Sequence, residues 1–177
     1  MCLHTIGADD TSVCYKLFLA VTAITVTNPS RPPELAAHPL VISLPVQWGD
    51  QDAFGHVNNV VYFRWMESAR IEYFRVGSLG TGVSKQGFGP ILASIKCDFR
   101  RQLLYPDMLF VSASIASIGR TSMKMVHRVY STSQQAVAAE GDSVLVMFDY
   151  EAQRPIAVAN DIRAKIDAIE GRGGSVE

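Results

Sequence analysis

Residues 59 to 76 read NVVYFRWMESARIEYFRV, and a helix built from them has almost no polar side. Val60, Val61, Tyr62, Phe63, Trp65, Met66, Ala69, Ile71, Tyr73 and Phe74 leave only a narrow charged strip. Asn58 or Asn59 can supply the N-terminal cap, and GSLGTG after Val76 is a stop signal. A helix this apolar is expected to be enclosed by other elements rather than to lie on a surface.

The flanking sequence supplies strands. LVISLPVQW alternates like one, with Pro45 marking an edge or a bulge, and GDQDAFG after it is loop. Downstream, GPILASIKCDFRR, DMLFVSASIASI, TSMKMVHRVYST and QAVAAEGDSVLVMFDY read as four further strands. Gly119-Arg120 and Ser133-Gln134-Gln135 suit hairpin connections. PIAVANDIRAKIDAIEG reads as a terminal helix with Pro155 in its first turn and Gly171 at its end, and residues 172–177 as a flexible tail. The order implies an α+β fold, an antiparallel sheet wrapped around a long central helix.

A chain of 177 residues with 48% hydrophobic content suits one globular domain with a short appendage. The appendage is residues 1–39. Its apolar run Val13 to Val26 falls short of the roughly 20 residues of a membrane helix. Asp9 and Asp10 ahead of it fit neither a secretory signal nor a mitochondrial presequence. Asn28 to Pro39 holds four prolines and reads as linker, so the domain is expected to begin near Leu40. Sixteen basic against seventeen acidic residues leave a charge of −1, which recruits neither nucleic acid nor an anionic membrane. Cys2, Cys14 and Cys97 are odd in number and lack a CxxC pair, arguing against a disulfide framework or zinc site. A cytoplasmic, reducing location is the default, with organellar targeting by residues 1–39 left open. Cys97, in a strand-like run, is read as packing.

The loop before the long helix, WGDQDAFGHVNN, concentrates the reactive side chains. An acid ahead of a helix start can act as base or nucleophile, while the unpaired N–H groups of that start can hold a developing anion. Gly55 permits the tight turn between the two. If Val46, Trp48 and Asp50 alternate as in a strand, Asp50 faces Asp52; otherwise it is a surface turn acid. Asp50, Asp52 and His56 lack a further histidine or cysteine spaced to complete a metal site. Glu67 and Arg70, three apart, suit an ion pair. Tyr62, Phe63 and Met66 suit core.

The pattern V-x-W-x-D-x-D-x-x-G-H-V-N-N-x-x-Y from Val46 to Tyr62, then ESARIEYF, DFRRQLLYPDML and SIGRTSMKM, resembles the hot-dog fold. Within it, the chain is similar to the 4-hydroxybenzoyl-CoA thioesterase-like group of acyl-CoA thioesterases, over about Leu40 to Gly171. It departs from the group in YPDML, where glycine often precedes the aspartate.

The resemblance implies hydrolysis of an acyl-CoA to free acid and CoA without a cofactor. Asp52 becomes the general base or nucleophile. Helix-end N–H groups near Asn58 and Asn59, Asn59 being the closer match, become the oxyanion donors, each worth roughly 3–4 kcal/mol. His56 either touches substrate or orients the loop. Gly55, Tyr62, Arg120, Thr121 and Ser122 are the implied substrate contacts, Arg120 reaching the CoA phosphates. Arg100, Arg101, Lys124 and Arg128 are other local cations, and no GxGxxG or Walker loop is present. Glu67 is the reserve carboxylate, because some hot-dog enzymes carry theirs on the central helix. The group also implies a homodimer or tetramer of dimers with Arg120 serving a neighbour's site. Two other readings are a non-catalytic acyl-CoA binding or sensing domain and an acyl-thioester hydratase or dehydratase.

Overall fold

The computed structural model describes residues 31–80, 82 and 87–172. The apolar run Val13–Val26, Cys2, Cys14 and most of the C-terminal tail lie outside the described residues. The elements are β1 (Leu40–Pro45), α1 (Asn59–Val76), β2 (Phe88–Phe99), β3 (Met108–Ile118), β4 (Ser122–Ser131), β5 (Ala136–Asp149), the two-residue β6 (Arg154–Pro155) and α2 (Asn160–Ile169). A 3-10 turn lies at Pro33–Leu35 and another at Trp48–Asp50.

All neighbouring strands are antiparallel, in the order β1-β3-β4-β5-β2, with β6 on β5. The sheet curls around α1, so the α+β hot-dog architecture expected from the sequence is the one observed. Strand alternation sets which residues meet the helix. Leu109, Val111, Ala113 and Ile115 of β3, Met123, Met125 and Val129 of β4, and Leu145 and Met147 of β5 all join its core. From the helix come Val61, Tyr62, Trp65, Met66, Ala69, Tyr73 and Phe74. Gly141 of β5 is where the two layers come closest. A Cβ there would stand 2.7 Å from both the Lys96 carbonyl oxygen and Met66 Cε.

Three expectations need correction. The helix is not enclosed all round within one chain: Val60 is 62% exposed, and Ile71 and Val76 are also exposed. Its apolar outer face carried the wrong inference because one curled sheet covers one side of a helix only. Pro155 is not in a helix; it pairs with Phe148 of β5, and α2 starts at Asn160. The proline-rich linker contains the turn Pro33–Leu35, whose Leu35 is fully buried against Phe110 and Tyr130 on the outer face of the sheet.

At the β2 end of the sheet, Arg100 and Arg101 both donate their backbone N–H to the Ala138 carbonyl. At the start of β3, Asp107 accepts from Ser131 Oγ at 2.5 Å, Thr132 Oγ1 at 3.3 Å and the Ser133 N–H at 3.1 Å. These bonds tie the β4–β5 turn to the end of the sheet that carries the site.

Candidate active site

The loop from Val46 to Asn58 is fastened at every step. The Val46 N–H donates to Asp107 O, and the Val57 N–H to Leu103 O at 2.8 Å. Gln51 and Val57 form an isolated bridge. Between them the chain turns back through Gly55, whose φ of +82° lies in the left-handed region that glycine enters without strain. The turn is closed by Gly55 N–H to Asp52 O and by Asp52 N–H to His56 O.

Asp50 fits neither expectation for it. The 3-10 turn breaks the strand alternation, leaving Trp48 75% exposed while Asp50 is 3% exposed. Its Oδ2 accepts the Gln47 N–H at 2.8 Å, and its Oδ1 pairs with Arg64 of α1. It is a buried brace between loop and helix, and nothing in its spacing from Arg64 signals the pair.

Asn58 is the helix cap. Its Oδ1 accepts the Val60 N–H at 3.1 Å and its backbone carbonyl the Val61 N–H at 3.0 Å. The Asn59 N–H has no partner among the described residues. Asp52 uses Oδ1 to accept the Phe54 N–H at 2.9 Å, leaving Oδ2 without a partner among the described residues.

Asp52, His56, Asn59 and Tyr62 line one open cleft of about 430 Å³, with Val57 and, from the end of β2, Phe99, Arg100, Arg101 and Gln102. Tyr62 and Phe99 make its apolar wall, their rings at 85° with centroids 5.0 Å apart. Burial pushes the Tyr62 hydroxyl up to about 12, so it stays protonated at neutral pH. Four of the expected site residues therefore come together. Asn58 and Gly55 are outside the lining and shape it from behind.

Arg120, Thr121 and Ser122 do not join them within one chain. Arg120 and Thr121 lie in the β3–β4 turn and Ser122 opens β4, at the far end of a β3 that starts at Met108 beside the site, and an eleven-residue strand spans about 30 Å or more. The turn is held there by Val158 N–H to Arg120 O and Met147 N–H to Thr121 O. Glu67 is paired with Arg70 at 2.9 Å and is outside the Asp52 cleft. The residues least legible beforehand are Phe99 and Gln102; the arginine pair in DFRRQ at a strand end was the available signal.

A family model described as thioesterase-like superfamily matches residues 46–166. The chain belongs to the thioesterase-like superfamily.

Among solved structures, a thioesterase from Thermus thermophilus complexed with coenzyme A and zinc is 36% identical, with a TM-score of 0.66 over 77% of this chain and 98% of that one. A putative thioesterase from Pseudomonas aeruginosa is 30% identical, with a TM-score of 0.64 over 73% and 98%. The long-chain acyl-CoA thioesterase FadM of Escherichia coli is 20% identical over 66% of this chain and 88% of its own. Thioester hydrolysis is thus the activity of this superfamily member. Among its described residues, no group of three or more His, Cys, Asp or Glu side chains is placed to hold a metal ion, and no helix is long and apolar enough to cross a membrane.

Proposed function

We propose that this chain hydrolyses acyl-CoA thioesters to the free acid and CoA in the Asp52 cleft. The observation that carries the reading is that Asp52 and Asn59 line the same cleft, with Asp52 Oδ2 and the helix N-terminal Asn59 N–H both unpartnered among the described residues. The thioester oxygen sits on that N–H, where the helix dipole favours the charge that develops as the carbonyl carbon becomes tetrahedral. Asp52 takes a proton from the attacking water, or itself attacks the carbonyl to give a mixed anhydride that water then opens. In either course the C–S bond breaks and the thiolate leaves, taking a proton from His56 or solvent.

The Thermus thermophilus relative, solved with coenzyme A, supports CoA as the carrier. β2 is hydrogen-bonded only to β5, so its other edge is open among the described strands. Beside that edge, Leu92 and Phe99 are 40% and 49% exposed. An apolar face beside an open edge favours pairing with a second copy. A homodimer, or a tetramer of such dimers, joined there supplies the Arg120 turn of one copy to the CoA phosphates held by the other.

The test is thiol release from short-chain, long-chain and aromatic acyl-CoAs by the purified chain. Turnover of at least one ester is expected; tight binding of all of them with no thiol released supports the non-catalytic binding module instead.

A further inference from the structure

Arg70 is 6% exposed, and its partner group is incomplete. Nη2 donates to Glu67 at 2.9 Å, but Nη1 is buried with no hydrogen-bond partner among the described residues. Native structures rarely keep a buried donor unmet, least of all on a cation. Burial also holds the guanidinium pKa below its usual value, with Glu67, itself 61% exposed, offsetting part of that.

Arg70 is also among the residues that line a second cleft of about 290 Å³, between α1 and β2, whose walls include Phe74, Leu92, Leu145 and Tyr150. This cleft and the Asp52 cleft lie at the two ends of one helix stripe. Tyr62 lines the first and Arg70 the second, eight residues or about 12 Å further along the axis. On the sheet side, Phe99, Cys97 and Ile95 pair with Ala139, Gly141 and Ser143 of β5 and so share the face turned to α1. The register shift between Leu92 and Ser94 places Leu92 opposite Leu145, on that same face. A half-buried apolar strip thus runs along β2 from the reactive carboxylate toward the unmet donor.

We propose that this strip receives the acyl chain and that Arg70 Nη1 donates to an oxygen at the chain's far end. The substrates are then acyl-CoAs carrying a remote oxygen, best of all an ω-carboxylate, rather than plain fatty acyl-CoAs. A carboxylate completes the hydrogen bonding of the guanidinium with a charge-assisted bond in a site where Glu67, its other partner, is largely exposed. The inference rests on thioester hydrolysis at Asp52.

The experiment compares kcat/KM for plain, ω-hydroxy and ω-carboxy acyl-CoAs over a series of matched chain lengths. At the length that reaches Arg70, the wild type is expected to favour the ω-carboxy ester by about tenfold or more. Arg70→Met is expected to shrink that ratio to below about twofold, whatever its absolute rates, and Arg70→Lys to keep part of it. No preference at any length in the wild type overturns the proposal and leaves hydrolysis standing. If the wild type hydrolyses none of the esters, the hydrolase reading fails, and calorimetric binding of the same series decides on Arg70. Tighter binding of the ω-carboxy ester then sustains its role, and equal affinities overturn it.

Discussion

Asn58 Oδ1 holds the Val60 N–H at 3.1 Å, and this one bond fixes where the helix begins relative to Asp52. With Val60 and Val61 both satisfied by Asn58, the Asn59 N–H is left without a partner among the described residues, and Asn59 lines the cleft. Asn58→Ala is expected to lower stability by about 1 kcal/mol. It should also lower kcat more than KM, because in the proposed reaction the donor it misplaces acts on the transition state. Chemical denaturation beside steady-state kinetics checks both; an unchanged kcat would detach the cap from the chemistry.

Asp50 and Arg64 should respond unequally to removal. Asp50 is buried and also holds the Gln47 N–H, whereas the Arg64 side chain is 60% exposed. Asp50→Ala releases the Gln47 N–H and Arg64, both on exposed residues that water can reach, and is expected to cost about 1 kcal/mol. Arg64→Met strands the buried Asp50 carboxylate without its cation and is expected to cost more, about 1–3 kcal/mol. Urea midpoints of the two variants test the asymmetry.

The same brace shows what was legible in the sequence and what was not. Alternation in β3 and β5 and the apolar helix between β1 and β2 are local patterns, and they specify sheet, helix and order. DxD followed by GHVNN placed Asp52, His56, Asn59 and Tyr62 at one site because all four lie within eleven residues of chain. Asp50 to Arg64 and Tyr62 to Phe99 join separate elements, and no local periodicity encodes such pairs. Pro155 misled because proline suits a first helical turn and a strand edge equally well.

His127 is buried under the central helix, with Nδ1 3.2 Å from the Ser112 carbonyl oxygen and Nε2 3.3 Å from Ser143 Oγ. Burial holds its pKa at about 4, with the Arg70 and His38 charges adding to the shift. A folded value below the unfolded value of about 6.5 means that the unfolded chain takes up the proton first. This stabilisation is complete above pH 6.5 or so and is lost as pH falls toward 4, about 3 kcal/mol in all. His38, also lowered by burial, acts in the same direction. Urea midpoints of the wild type should fall between about pH 7 and pH 4.5, with a shallower fall in His127→Gln. Parallel profiles would remove His127 from the account.

Gly141→Ala tests the close approach of helix and sheet. The new methyl would meet the Lys96 carbonyl oxygen, which is backbone, as well as the movable end of Met66. A loss of about 1–3 kcal/mol is expected. Because Met66 lies on the stripe between Tyr62 and Arg70, the variant should also disturb turnover of longer acyl chains more than short ones. A chain-length series of kcat/KM reads this directly.

The proposed hydrolysis depends on the Asp52 carboxylate. Its most direct test is thiol release by Asp52→Asn against wild type, on the best acyl-CoA of the panel, with calorimetric binding of CoA measured on both. A loss of about a hundredfold or more in kcat, with CoA affinity and fold retained, is the result expected of a lost base or nucleophile. A variant that keeps the wild-type kcat would contradict the account and move the search to Glu67.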